Sequence, residues 1–175
     1  MNKPQYLIIH HVGGSDANPL ADTSHHTFEI VDAYHKSLGW GGIGYHYFID
    51  KAGKVTQGRK DDAEGAHTKG YNSKSLGICL AGNFDATLPT KEQETALKAL
   101  LLAKMSQYGL TADKIVPHRK FAVKTCFGRK LSDTWAADLT KAPAPQPAPQ
   151  PSNDAIRDEI RKHLGAVDVL LGKLK

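Results

Sequence analysis

The succession of segments predicts an α/β fold, a sandwich built around a central sheet. Three observations carry the prediction. A β-prone apolar run lies at Tyr6 to Val12, a long helical stripe spans Thr90 to Tyr108, and strand-like and helix-like segments alternate between them. The 175 residues are 40% hydrophobic with sixteen glycines, ordinary for one globular domain with an appendage. Wholesale disorder is excluded.

Tyr6 to Val12 is almost continuously apolar, as expected of a central strand covered on both faces. Ser24 to Leu38 reads as a helix with Phe28, Val31, Tyr34, His35 and Leu38 on one side. Gly44 to Asp50 forms a second strand, Ala52-Gly53 a tight turn and Lys54 to Gln57 a third strand. Leu76 to Leu80 is a short buried strand closed by the turn Ala81-Gly82-Asn83. In Thr90 to Tyr108, Thr90 and Gln93 make a capping box, Leu97, Leu100, Leu101 and Met105 form the stripe, and Gly109 ends the helix.

The clearest boundary is APAPQPAPQP, residues 142–151, which holds five of the nine prolines. Such a segment cannot hydrogen-bond as helix or sheet and reads as a linker, extending about 30 Å at ~3.1 Å per residue. It separates a domain at 1–141 from an amphipathic helix at 152–175. Ile156, Ile160, Leu164, Val167, Leu171 and Leu174 stripe that helix against a mixed-charge face. An isolated helix of this size is marginal in water. Docking on the core, homo-oligomerisation and contact with a wall or membrane all meet its need for a partner.

Lysine and arginine number 23 against 18 acidic residues, and the excess divides as +3 over residues 1–140 and +2 over 141–175. With no basic run and no aromatic-interleaved basic stripe, no nucleic-acid binding is expected from a pI near 9.1. Two histidines interrupt the first apolar stretch, where a signal peptide needs unbroken apolar sequence, so a cytoplasmic protein is expected. Cys79 and Cys126 are too few for a disulfide framework.

Nine histidines are the unusual feature. In the first strand His10 shares a face with Tyr6 and Ile8, while His11 points with Leu7 and Ile9 to the other. His118 follows the apolar Ile115-Val116-Pro117, and Cys126 lies eight residues later. No second Cys-x-x-Cys or His-x-x-x-His arm accompanies them, so spacing alone is no zinc-finger signature. A core histidine, a loop histidine and a small buried thiol fit that spacing equally well.

Longer words surround these residues. Tyr6 to His11, Gly44-Tyr45-His46-Tyr47-Phe48-Ile49, Gly65-Ala66-His67 through Gly70-Tyr71-Asn72, Ser75 through Asn83, and His118 through Lys124-Thr125-Cys126 occur in that order. Together they resemble the zinc-dependent N-acetylmuramoyl-L-alanine amidases, the family shared by phage lysozymes of amidase type and peptidoglycan recognition proteins. The resemblance covers roughly residues 5–139 and implies a central mixed β-sheet flanked by helices.

It implies one zinc ion held by His10, His118 and Cys126, with peptidoglycan as substrate and the amide between N-acetylmuramic acid and L-alanine as the bond cleaved. Tyr45 matches the family's catalytic tyrosine, and Lys124 matches a position that is lysine in the phage enzymes. His67 and Asn72 fall at substrate-binding positions. His46 and Cys79 read as buried strand residues, and helix-surface positions account for most of His25, His26, His35 and His163. A phage endolysin held in the host cytoplasm is the leading implication. A muropeptide-recycling amidase usually carries aspartate as third ligand, and a non-catalytic recognition protein typically loses the cysteine. One departure stands out: the family usually follows its cysteine with Pro-Gly, whereas this chain has Cys126-Phe127-Gly128, which removes a rigid turn.

Overall fold

The computed structural model describes residues 2–141; the expected linker at 142–151 and helix at 152–175 lie outside the described residues. Its elements are β1 (Tyr6–His11), α1 (Phe28–Ser37), β2 (Tyr47–Ile49), β3 (Val55–Gln57), β4 (Ser75–Leu80), α2 (Lys91–Tyr108), β5 (Ile115–Pro117) and α3 (Trp135–Lys141). Single 3-10 turns occupy Ala112–Lys114 and His118–Lys120.

The strands form one mixed sheet in the order β3-β2-β4-β1-β5. β1 runs parallel to β4 on one side and β5 on the other, β2 runs parallel to β4, and β3 is antiparallel to β2. β1 therefore has neighbours on both edges and layers on both faces. Its apolar character follows from that position.

Alternation along β1 divides its side chains between the layers. Leu7 and Ile9 join the larger core, with Ile78 and Leu80 of β4, Leu97 and Leu101 of α2, and Ala136 and Ala137 of α3. Burying each of the two α2 leucines stabilises the fold by about 1.5–3 kcal/mol. On the opposite face, Phe48 and Cys79 pack with Val31 of α1 and Ile43. His10 pairs with Cys79, and Cys79 with Phe48, so these three lie side by side across the sheet.

α2 follows its sequence signals closely. Thr90 Oγ1 accepts from the Gln93 amide, Gln93 Oε1 accepts from the Thr90 amide, and Gly109 closes the helix at φ 65°. α1 is shorter than expected, because Thr27 caps it and the chain turns beforehand. Only Val31 and His35 of its predicted stripe are buried; Tyr34 is 61% exposed. A ten-residue helix packs along one narrow line, with Tyr34 on its flank and Leu38 beyond its last turn. The sequence patterns predict neither β5 nor α3. β5 exists as a strand because it pairs with β1, and α3 packs against α2 and β5.

Candidate metal centre

His10 and His118 sit at the carboxyl ends of neighbouring parallel strands. Ile9 pairs with Pro117, so the next residue of each chain segment emerges at the same level. Their ring centroids are 4.5 Å apart. Ligand sites in parallel sheets favour this end, where the loops leave the strands. Cys126 reaches the same point from the loop after β5, and its Sγ lies 3.7 Å from His10 Nδ1. One ligand atom from each of His10, His118 and Cys126 falls within 4.8 Å of the others. Among the described residues no other group of three such side chains converges in this way.

The loop is braced by Arg119. Its guanidinium donates to the carbonyls of Gly128 and Leu131, each at 2.7 Å, and to that of Thr125 at 3.2 Å, while Asp133 Oδ1 accepts from Nε at 2.6 Å. The Arg119 amide donates to the Cys126 carbonyl at 2.7 Å. Phe127, standing where the family usually has proline, is fully buried in the main core. Burial of that ring anchors a backbone that proline would have stiffened.

Burial, with the charges of His67, His118 and His11 added, holds His10 well below the usual imidazole range. His118 is lowered to about 4 by burial and then by the Lys124 cation. Both rings are neutral at physiological pH and keep a lone pair to donate to a metal ion. Burial pushes the Cys126 thiol up to about 12 in the metal-free protein, so binding a cation there must expel a proton.

Tyr45, Lys124 and His67 line one cavity of about 620 Å³ together with His10, His118 and Cys126. The Tyr45 ring lies 5.0 Å from that of His10. Burial first, then the nearby Cys79 and Cys126, drive the Tyr45 pKa well above the usual phenol value. Lys124 is exposed on the turn preceding Cys126.

His67 lines the cavity while held from several sides. Its Nδ1 is 3.0 Å from His10 Nε2 and 3.0 Å from Thr68 Oγ1, and its Nε2 is 3.4 Å from Ser75 Oγ. The ring lies directly on the backbone of Gly77 in β4; a Cβ there would stand 2.5 Å from His67 Cγ. An isolated glycine in a strand is a readable signal of close approach. Asn72 does not line the cavity. Its Oδ1 accepts from the amides of His67 and Thr68 at 2.9 and 2.8 Å, fixing the turn that carries the histidine.

His46 is fully buried as expected, accepting from the Gly77 amide at Nδ1 and facing the Ala63 carbonyl with Nε2. His35 departs from the helix-surface expectation. It is 6% exposed, accepts from the Gly44 amide at 3.0 Å and stacks on Trp40.

The profile of the family described as N-acetylmuramoyl-L-alanine amidase matches residues 1–133. The chain belongs to this amidase family. The endolysin of Klebsiella phage KP32 is 40% identical to this amidase-family chain over 110 residues, 60% of this chain and 72% of that protein. Peptidoglycan-recognition protein SC2 of Drosophila melanogaster is 34% identical over 140 residues, 77% of this chain and 76% of its own length. Among solved structures, N-acetylmuramoyl-L-alanine amidase LysC from Clostridium intestinale URNW superposes with a TM-score of 0.65 at 32% identity, covering 74% of this chain and 79% of that one.

Proposed function

We propose that the chain hydrolyses the amide between N-acetylmuramic acid and the L-alanine of the peptidoglycan stem peptide, using one zinc ion held by His10, His118 and Cys126. The convergence of those three side chains on a cavity that also holds Tyr45 carries this reading. The donor set fits the metal. Zinc at about 2.0–2.1 Å from nitrogen and 2.3 Å from sulfur places tetrahedral N and S ligands roughly 3.6 Å apart, close to the 3.7 Å between His10 Nδ1 and Cys126 Sγ. Histidine nitrogen and cysteine thiolate are both zinc donors, and three protein ligands leave a position open for catalysis.

When bound, zinc supplies a water activated at neutral pH and a positive centre that polarises the scissile carbonyl. The chain's own groups complete the chemistry. Tyr45 keeps its proton, since its pKa is raised, and so serves as a hydrogen-bond donor to the oxygen that gains charge rather than as a base. The Lys124 cation, free in solvent at the cavity edge, favours the same negative charge. His67 holds the ring of His10 through Nε2 and forms part of the groove wall. Asn72 acts on substrate through the turn it fixes.

Digestion of purified peptidoglycan tests the reading: new alanine amino ends without new reducing sugars are expected, and reducing ends alone would reject it in favour of a glycosidase. Chelation should abolish the activity and added zinc restore it. Residues 1–141 form the hydrolase in this reading, with 142–151 as spacer and 152–175 as a partner-seeking helix. Truncation after Thr140 tests that division. Amide cleavage retained with altered molecular mass or wall affinity supports it, whereas lost cleavage argues against it. Among the described residues no helix is long and apolar enough to cross a membrane.

A further inference from the structure

Asp85 lies in the turn after β4, forty-one residues before the cysteine, yet its carboxylate grips the cysteine loop on both sides. Its Oδ2 accepts from Thr125 Oγ1 at 2.6 Å and its Oδ1 from the Arg129 amide at 2.7 Å, with Arg129 Nε at 3.5 Å. Those contacts fall one residue before Cys126 and three after it. The Asp85 side chain is only 9% exposed, and although it borders the cavity, both oxygens are taken by the loop.

The turn carrying Asp85 is itself fixed. The Phe84 carbonyl accepts from the Lys130 amide at 3.1 Å, and Gly128 lies so close that a Cβ there would stand 2.4 Å from Phe84 Cβ. The Phe84 amide donates to His11 Nδ1 at 2.9 Å. Adjacent residues of β1 thus serve the two sides of one site: His10 faces the candidate metal position, and His11 anchors the turn that clamps the cysteine loop.

We propose that Asp85 is a positioning residue that preorganises Cys126 for the metal, with His11 and Phe84 as its footing. This rests on the reading of Cys126 as a ligand. An irregular loop whose cysteine is not followed by proline samples many thiol positions unless its flanks are tied, and outer partners of metal ligands commonly govern affinity.

Zinc affinity measured by competition with a chromophoric chelator tests it, using the full chain, Cys126→Ser as control and apo-protein circular dichroism to confirm folding. Asp85→Ala should bind zinc about 10–100-fold more weakly than the parent, with Asp85→Asn, which keeps the shape and one acceptor oxygen, in between. Cobalt(II) substitution should show a weakened thiolate charge-transfer band in Asp85→Ala, a signature that a general loss of stability does not produce in a folded protein. If Asp85→Ala fails to fold, Thr125→Val carries the test, with a roughly two- to tenfold loss expected for one hydrogen bond to a carboxylate. Should the double variant fold, its loss should be smaller than the product of the single losses, because both act through one contact. Parental zinc affinity in Asp85→Ala and Thr125→Val, alongside a large loss in Cys126→Ser, overturns the proposal and leaves the ligand reading intact. Equal affinity in parent and Cys126→Ser overturns both.

Discussion

Tyr45 packs against the cluster containing Cys79, with its ring beside that of His10, where ionisation is penalised first by lost solvation. In the proposed mechanism Tyr45→Phe removes one hydrogen-bond donor to the oxygen that gains charge. The expected result is a kcat about 10²-fold or more lower with stoichiometric zinc retained, measured by amine release from peptidoglycan. Cys126→Ser is expected to fail in zinc binding first and in hydrolysis as a consequence. Gly77 offers a third residue-level test. Alanine there must displace the His67 ring, costing about 1–3 kcal/mol of stability by overpacking and moving the group that holds His10. Thermal unfolding and zinc titration of Gly77→Ala check both effects.

Elements differ in how much of their stability is local. α2 carries its own start and stop, so Thr90→Ala should cost about 1 kcal/mol in a denaturant titration, while Leu101→Ala, emptying a fully buried position, should cost about 2–5 kcal/mol. The capping box, the stripe and Gly109 were all legible because each is a short-range pattern. β5 was not, since three residues carry no periodicity; pairing with β1 makes Ile115–Pro117 a strand and puts His118 beside His10. α1 shows the opposite error. A five-residue apolar face was visible, but packing uses only the line through Val31 and His35, leaving Tyr34 in solvent.

Across the whole domain, the 58–64 connection is tied to α2 through Asp61. Its carboxylate accepts from Tyr47 Oη at 2.6 Å, Lys104 Nζ at 2.7 Å and Tyr108 Oη at 2.8 Å. Burial works to raise its pKa, but those three donors outweigh it and hold the carboxyl below its usual value. A depressed carboxyl pKa contributes stability that is fully present above the unfolded value of about 4 and is lost as pH falls through the folded value. Asp61→Asn is therefore expected to lower stability by about 2–3 kcal/mol at pH 7, with the difference from the parent shrinking in acid. Urea titrations at pH 7 and in the acid range measure it; a pH-independent difference would reject the linkage.

By itself the sequence determined an α/β order of elements, the limits of α2, the apolar centre at β1 and, through five ordered motifs, the family and its candidate ligands. These are properties of neighbouring residues or of words read along the chain. Tertiary structure alone decided the strand order β3-β2-β4-β1-β5, the contact of His67 with His10, the burial of His35, and the bracing of Cys126 by Arg119 and Asp85. Helical and strand periods record which side of an element meets the core, but not which distant element meets it. A hydrogen bond spanning forty residues leaves no local pattern, so the groups that tune the candidate metal centre became visible only once the sheet had brought them together.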